Sequence, residues 1–209
     1  MKPIIFSTPM VKAILDGIKT MTRRVVIPQP DSDDPSIHYV DCEGFQTVPG
    51  NESEIWYQTE DGDNGKSKIN RGDILWVRET HFLYKNTVYF KADEIHSELE
   101  KLGIKFKWKS PYHLYRKDAR IYLKVKSVKV ERLNDITEED AKAEGISREH
   151  RMMMYSHAVG VTVEHIKRIY RDEFQIIWND INAKRGYSWE SNPWVWVYEF
   201  EKINTSVAS

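Results

Sequence analysis

Alternating hydrophobic and polar residues predict several strands in this chain. The longest covers residues 120–133, RIYLKVKSVKVERL, where aliphatic residues occupy every second position and should face a core. Residues 18–27 also look extended, as does ILWVRET at 74–80 with its β-branched and aromatic residues. TVYFKAD at 87–93 is predicted to be the neighbour of the 74–80 strand. PWVWVYEFEKI at 193–203 predicts a further strand, with its two tryptophans and its tyrosine on one side.

Helical spacing of apolar residues predicts helices between these strands. The first should begin at Thr8, which is followed by a proline suited to the first helical position, and Gly17 is placed to end it in a left-handed turn. A second, short helix is predicted over residues 93–103. A third should begin at Thr137 with TEED, which is similar to a capping box, and should end near Gly145.

A longer helix follows, with about four turns of helical spacing. We interpret its apolar stripe as core packing and not as a cofactor site: Ile166, Ile169, Tyr170, Phe174, Ile177, Trp178 and Ile181. Short strands of mixed length around such helices predict an α+β fold, built on a small barrel or a curled sheet.

The composition agrees with one globular domain, with or without insertions. The chain has 209 residues, of which 40% are hydrophobic and 12% aromatic, enough for a sizeable core. No apolar run approaches the roughly 18 residues of a membrane span, and no signal peptide is recognised at Met1, so we expect no membrane association. Cys42 is the only cysteine, which excludes an intramolecular disulfide and agrees with a cytoplasmic location.

Charge is unevenly distributed, although the formal net charge is −1. Residues 29–65 carry many Asp and Glu residues and no Lys or Arg, and this acidic segment is either a mobile flap that repels nucleic acid or a disordered insertion. Residues 101–130 show the reverse, because Asp118 is their only acidic residue among many lysines and arginines.

Aromatic residues are interleaved with the bases of the 101–130 segment. Lysines contact phosphates and aromatic faces stack on bases, so this mixture suits single-stranded RNA or DNA. The alternative is a solvated strand face with its aromatic side chains packed inside. On the first interpretation, the candidate nucleic-acid-binding residues are Lys107, Lys109, Arg116 and Lys117.

Common cofactor and catalytic motifs are missing from the sequence. It contains no GxGxxG, no GxxxxGK[ST], no HExxH and no GxSxG. His150, His157 and His165 have no spacing typical of metal ligands. We therefore expect no metal ion and no cofactor.

Four segments, in this order, resemble an ASCH-domain protein of the phage and prophage type: ILDGIKTMTRR, RGDILWVRET, ERLNDITEEDAKAEGI and NPWVWVYEFEKI. The resemblance implies a PUA-like β-barrel flanked by helices, a fold related to RNA-binding and modified-base-reading domains. It implies one domain over residues 1–203, with variable insertions at about 29–70 and 81–118, and a tail at 204–209.

The resemblance also implies a site. The family signature is similar to G-x-K-x-x-x-R, which Gly17, Lys19 and Arg23 satisfy. Related bacterial acetylcytidine amidohydrolases use a lysine, a threonine three residues later and a distant glutamate. These positions correspond to Lys19, Thr22 and Glu144, because ITEEDAKAE resembles the LTEKHAEQE-type sequence of those enzymes. This chain is about twice as long as they are.

Amide hydrolysis by this trio needs an activated nucleophile. A Thr22 hydroxyl needs a base beside it, and Lys19 is a base only where burial or nearby charge, such as that of Arg23 and Arg24, lowers its pKa. Strict alternation places Lys19 and Thr22 on opposite faces of a strand, so they converge only if the backbone turns at 19–21. Alternatively, Lys19 neutralises a helix end and Thr22 is an ordinary strand residue.

Four residues are candidates for substrate binding. Arg23 and Arg24 follow the threonine, and Trp76 and Glu79 lie in the VRET strand, suited to stacking and to a base edge or an arginine partner. A buried core tryptophan and a structural Glu–Arg pair are the alternatives for the second pair.

Two functions follow from these expectations. The first is a nucleic-acid or modified-nucleoside binding module with a base-sized pocket formed by Lys19, Thr22 and Glu144. The second is an amidohydrolase that deacylates a modified nucleoside such as acetylcytidine, or a ribonuclease, with the same residues. A phage accessory protein with a vestigial pocket is a third interpretation.

Overall fold

The computed structural model describes residues 1–30, 36–40, 46, 54–58, 64–146 and 169–204. This part of the chain is α+β, as predicted, and contains more strand than helix. None of its helices has the length and apolar character needed to cross a membrane. Predictions for His150, His157, His165, Ile166 and the tail at 205–209 fall outside the described residues.

Ten strands are described: β1 (Lys2–Ile5), β2 (Met21–Val25), β3 (Ser36–Val40), β4 (Glu54–Gln58), β5 (Asn64–Lys66), β6 (Ile74–Arg78), β7 (His81–Tyr84), β8 (Thr87–Phe90), β9 (Tyr122–Arg132) and β10 (Trp194–Ile203). The helices of six residues or more in the described part are α1 (Thr8–Leu15), α2 (His96–Lys101), α3 (Glu138–Ala143) and α4 (Ile169–Asn182). The positions of the four helices and of β2, β6, β8, β9 and β10 agree with those expected from hydrophobic periodicity, whereas the other five strands were not predicted.

The main sheet has five strands in the order β1-β6-β9-β10-β2. The pair β1–β6 is parallel, and the other three pairs are antiparallel. In the described part of the chain, the edge strands β1 and β2 do not pair with each other, so hydrogen bonding does not close the sheet into a barrel.

Strand β10, which lies between β9 and β2, is buried on both faces. Trp196, Tyr198 and Phe200 point into one core, together with residues of α1, β4 and β9. Val195 and Val197 point into a second core, against α3 and α4. This two-sided burial explains the near-continuous hydrophobic run WVWVYEF, since both sets of alternating side chains leave water.

Three strands form within the acidic segment, contrary to the expectation of a disordered insertion. Strands β3, β4 and β5 form a separate antiparallel sheet. Ile55 and Tyr57 of β4 are fully buried in the first core, and Tyr57 donates a hydrogen bond to the Pro28 carbonyl. Interpretation as a disordered insertion or a mobile flap is therefore wrong for these strands, because their apolar residues outweigh the charge around them.

The segment TVYF also pairs differently from the prediction. Strand β8 forms a two-stranded hairpin with β7, and not a ladder with β6. Lys85 and Asn86 have φ values of 45° and 64°, as expected for a two-residue turn between antiparallel strands. This local turn selects the immediately preceding strand as the partner.

Helix ends place the residues of the candidate site. Gly17 has a φ of 73° and follows α1, as predicted. The Thr137 hydroxyl accepts a hydrogen bond from the Asp140 amide at 3.0 Å and caps α3. Gly145 has a φ of 90°, and a Cβ there would lie 2.9 Å from the Cβ atoms of Ala13 and Lys19. Only glycine lets the end of α3 come this close to the turn after α1.

Candidate functional site

The Lys19 side chain is completely buried and fully hydrogen-bonded. Its Nζ donates to Glu144 Oε2 at 2.8 Å, to the Glu144 carbonyl at 2.7 Å and to the Met21 carbonyl at 2.8 Å. An ammonium group has three donors, and all three have acceptors here. Lys19 and Glu144 are therefore in direct contact across 125 residues, as the resemblance implied.

Arg23 is the second buried cation beside Glu144. Its Nη1 lies 3.3 Å from Glu144 Oε1, and its Nη2 lies 2.6 Å from Glu131 Oε1 and 2.8 Å from Asp140 Oδ2. We call Lys19, Arg23, Glu131, Asp140 and Glu144 the ion cluster. Because Arg23 is held by three carboxylates, its contribution to the site is to fix Glu144 in place.

The backbone leaves the regular strand geometry before β2, as the approach of Lys19 to the site requires. Residues 18–20 precede β2 and are not part of it, and the Thr20 amide donates to the Ala143 carbonyl at 2.8 Å. The Phe200 amide donates to the Thr20 carbonyl at 2.8 Å. This segment therefore links the end of α3 to β10 and directs Lys19 toward Glu144.

Burial lowers the pKa of Lys19 below its ordinary value. The charge and hydrogen bond of Glu144 oppose that change, and the charges of Arg24 and Arg23 add to it. The Nζ atom also lies 5.3 Å from the centre of the Phe6 ring. Lys19 is thus an ammonium whose charge depends on its contact with Glu144.

A partly enclosed cavity of about 160 Å³ lies between β2 and α4, and we call it the β2–α4 cavity. Its polar wall comes from β2 and the end of α3: Thr22, Arg23, Arg24 and Glu144. Its second wall comes largely from α4: Phe174, Ile177, Trp178, Ile181 and Asn182. Thr22 and Glu144 therefore share one cavity, whereas Lys19 lies behind Glu144.

Thr22 and Arg24 present hydrogen-bonding groups to this cavity. In the part of the chain that the structure describes, the Thr22 hydroxyl makes no hydrogen bond although the residue is only 3% exposed. One Arg24 nitrogen, Nη2, donates to the Ile5 carbonyl at 2.9 Å, and the guanidinium carbon lies 5.4 Å from the Phe6 ring centre. Burial lowers the pKa of Arg24, and the charge of Arg185 lowers it further.

Two polar residues of the cavity, at the end of α4, were not expected from the sequence. Asn182 and Arg185 follow the apolar stripe of α4, and Arg185 Nη1 lies 3.3 Å from Asn182 Oδ1. Trp178 was assigned to core packing, which is confirmed, and it also lines the cavity. Periodicity predicts which residues leave water, but it does not show where two packed elements leave a space.

Trp76 and Glu79 lie elsewhere and do not line the β2–α4 cavity. Glu79 accepts two hydrogen bonds from Arg120, at 3.0 and 2.9 Å, so the structural Glu–Arg pair is the alternative that the structure favours. Burial raises the pKa of the Glu79 carboxyl, and the hydrogen bonds from Arg120 oppose this change. Trp76 is buried beneath Arg78, whose guanidinium carbon lies 4.7 Å from the tryptophan ring centre.

The four candidate phosphate-binding residues are all exposed: Lys107, Lys109, Arg116 and Lys117. They lie in an irregular stretch between α2 and β9 that contains only short 3₁₀ turns. Phe82, Phe106 and Trp108 form an aromatic cluster next to the first two, with ring centres 5.0 to 5.3 Å apart. Bases outside and aromatic rings inside are therefore combined in one surface.

Among the described residues, no group of three or more His, Cys, Asp or Glu side chains could hold a metal ion. The carboxylates of the ion cluster are unsuited to binding a metal ion, because they already form ion pairs with Arg23 and Lys19. Comparison with protein-family models, with curated proteins and with solved structures finds no match to this chain.

Proposed function

We propose that this protein binds single-stranded nucleic acid or a modified nucleoside, with one nucleobase in the β2–α4 cavity. The observation that carries the proposal is the pairing of an aromatic, apolar wall on α4 with a hydrogen-bonding wall on β2. A base needs both, because its faces are apolar and its edges carry donors and acceptors.

The cavity is large enough for one aromatic ring the size of a pyrimidine. A cavity of about 150 Å³ in another protein holds benzene, and the β2–α4 cavity has about 160 Å³. Trp178 and Phe174 offer surfaces for stacking. The Arg24 guanidinium is suited to a base carbonyl, and the Glu144 carboxylate to an exocyclic amine, as in a pyrimidine such as cytosine.

The resemblance to ASCH-domain proteins supports the same conclusion. We interpret the five-stranded sheet as the sheet of a PUA-like barrel, within a single domain over residues 1–203. Proteins of that fold include RNA-binding and modified-base-reading domains, and their site is expected at Lys19, Thr22 and Glu144.

The exposed cations between α2 and β9 are proposed to bind the phosphates of the nucleic acid: Lys107, Lys109, Arg116 and Lys117. Neutralisation of the lysines, by a combined change of Lys107, Lys109 and Lys117 to glutamine, should weaken oligonucleotide binding and reduce its salt dependence. The change should leave nucleoside binding in the cavity unaffected. Equal affinity of the variant and the unchanged protein for an oligonucleotide would contradict this role.

A second candidate function is hydrolysis of an acylated nucleoside. The observation in its favour is the Thr22 hydroxyl, which makes no hydrogen bond to the described residues and shares the cavity with Glu144. Transfer of a proton from Lys19 to Glu144 across their 2.8 Å contact gives a neutral amine, and burial of Lys19 favours that transfer. The amine can take the Thr22 proton through a relay as the Thr22 oxygen attacks the acyl carbon. The C–N bond then breaks, the relay returns that proton to the leaving nucleoside amine, and water hydrolyses the acyl–Thr22 ester to release the acid.

One experiment tests both functions. The protein is incubated with cytidine, N4-acetylcytidine and short RNAs, and both binding heat and product mass are recorded. Binding without a mass change supports the binding module, loss of the acetyl group supports the amidohydrolase, and shortened RNA supports a ribonuclease. Absence of any binding would contradict the proposal.

The matched variants are Thr22→Val, which removes only the cavity hydroxyl, and Thr87→Val on the exposed β7–β8 hairpin. For a hydrolase, Thr22→Val abolishes product formation and Thr87→Val does not. For a binding module, Thr22→Val lowers affinity about fivefold, because it removes one hydrogen bond. Activity that survives unchanged in Thr22→Val would exclude Thr22 as the nucleophile.

A further inference from the structure

Arg78 at the end of β6 has no acceptor in the part of the chain that the structure describes. Its guanidinium makes no hydrogen bond or ion pair there, and its Nε is buried and without a partner. Each other buried or half-buried arginine in that part donates to at least one protein oxygen: Arg23, Arg24, Arg120, Arg132 and Arg171. A half-buried cation without an acceptor is costly, and a ligand that supplies one offsets this cost.

Two aromatic rings hold this guanidinium. Its central carbon lies 4.7 Å from the ring centre of Trp76 and 5.4 Å from that of Tyr112. Stacking occupies a face of the planar cation and leaves the N–H donors at its edges available. Trp76 is buried and fixed, whereas Tyr112 is 68% exposed and opens the arrangement to solvent. We call these three residues the Arg78 stack.

The backbone of Arg78 lies one strand away from a carbonyl that accepts a hydrogen bond from the wall of the β2–α4 cavity. Arg78 is the register partner of Ile5 in the parallel pair β1–β6. The Ile5 carbonyl accepts a hydrogen bond from Arg24, which lines the cavity. Neighbouring strands are about 5 Å apart, so a ligand that leaves the cavity past Arg24 needs to cross only one strand to reach Arg78.

A guanidinium with free edges binds a planar or bidentate anion, either a carboxylate or a phosphate. The surrounding charge selects the phosphate of a polyanion. The stretch that carries Tyr112 also carries exposed cations: Lys105, Lys107, Lys109, Arg116 and Lys117. The Tyr122 hydroxyl, whose residue pairs with Trp76, donates to the Arg116 carbonyl and brings that stretch beside the Arg78 stack.

We propose that the Arg78 stack binds a backbone phosphate of a single-stranded nucleic acid whose base occupies the β2–α4 cavity. An oligonucleotide that reaches both positions should then bind more tightly than a free nucleoside, which occupies the cavity alone. This inference rests on the proposed function for the cavity. It adds a phosphate site at Arg78, and it adds the exposed Tyr112 ring as a surface on which a neighbouring base can stack.

The test compares binding of a fluorescently labelled RNA of about ten nucleotides by unchanged protein and by Arg78→Met, with anisotropy as the readout. Loss of the phosphate contact should lower affinity about tenfold and reduce the slope of log K against log salt concentration by about 0.7. Arg71→Met, at an exposed arginine that donates to the Lys126 carbonyl, is the matched control and should bind as the unchanged protein does. Tyr112→Ala tests the same stack at an exposed position where folding is not at risk.

The outcomes separate this inference from the function of the cavity. Nucleoside binding by calorimetry should be equal in Arg78→Met and in unchanged protein. RNA binding that depends on Arg78, without any nucleoside binding, would uphold the phosphate site and refute the cavity. RNA binding with equal affinity and salt slope in Arg78→Met and Tyr112→Ala would overturn the inference, as would Arg78-dependent binding of polyglutamate in place of RNA.

Discussion

Replacement of Glu144 by glutamine is the sharpest perturbation of the ion cluster. The carboxylate contacts two buried cations, Lys19 at 2.8 Å and Arg23 at 3.3 Å. Glutamine keeps the volume, but its single acceptor oxygen serves only one cation and its amide nitrogen faces the other. Arg23 retains Glu131 and Asp140, so Lys19 is the group left without a charged partner.

Removal of one partner from a buried ion pair costs roughly 3–5 kcal/mol of unfolding free energy. An upper limit follows from the chemistry of Lys19. With an ordinary pKa of 10.5, removal of the proton from this lysine at pH 7 costs about 5 kcal/mol. If burial of the charged form costs more than that, the lysine folds in its neutral form, so the loss of unfolding free energy cannot exceed about 5 kcal/mol. For a chain of this size, such a loss lowers the melting temperature by roughly 6–20 °C.

The pH dependence identifies Lys19 as the origin of the loss. Glu144 raises the pKa of Lys19 against the effect of burial, so the pKa falls further in Glu144→Gln. The folded variant then binds fewer protons than the unfolded chain, and its stability rises with pH by up to about 1.4 kcal/mol per pH unit below 10.5. The destabilisation relative to the unchanged protein is therefore smaller at pH 9 than at pH 6.

Urea denaturation at pH 6 and pH 9 measures this effect, with circular dichroism as the probe. Glu201→Gln, at an exposed position on β10, is the control and should change stability by less than about 0.5 kcal/mol. A loss below about 1 kcal/mol for Glu144→Gln, or a loss equal at both pH values, would refute the interpretation of Lys19 as a charge held by Glu144.

Two further predictions concern stability. Gly145→Ala should lower the free energy of unfolding, measured by urea denaturation, by at least about 1 kcal/mol more than Gly17→Ala does. Both glycines have a positive φ, but only at Gly145 would the new Cβ meet atoms at 2.9 Å. Equal losses of unfolding free energy would contradict this close approach. Burial raises the pKa of Tyr198 to about 12, so the folded state keeps a proton that the unfolded chain loses above pH 10. The difference in unfolding free energy between the unchanged protein and Tyr198→Phe should be constant below pH 10. It should shift against the tyrosine protein by roughly 3 kcal/mol as the pH rises from 10 to 12. A difference that does not depend on pH would contradict the burial of this hydroxyl.

The helices and the long strands were predictable because each has one dominant period. The alternation in residues 120–133 and the helical stripe around Phe174 and Trp178 both correspond to buried faces. The partner of TVYF was not predictable in this way, because the turn at Lys85 and Asn86 decides it. The order within the acidic segment was hidden by its charge, although Ile55 and Tyr57 supply the packing.

The candidate site also has one part that was expected from the sequence and others that only the tertiary structure shows. The Lys19–Glu144 contact was expected from the resemblance to a family, since no local pattern links residues 125 positions apart. The saturation of Arg23 by carboxylates is a tertiary property, and so is the lack of an acceptor for Arg78 among the described residues, because a sequence does not show the partners of its arginines. Arg185 lies in a short 3₁₀ turn that follows α4 directly, beyond the predicted helical stripe.

Occupation of the β2–α4 cavity by a nucleobase is the central claim, and a blocked cavity tests it most directly. Ile181→Trp fills the cavity from α4, whereas Ile176→Trp adds the same bulk on that helix away from the cavity, and both positions are nearly half exposed. Calorimetric titration with N4-acetylcytidine and with a short RNA should show binding to Ile176→Trp and to the unchanged protein, and its loss in Ile181→Trp. Binding of equal strength to all three proteins would contradict the account.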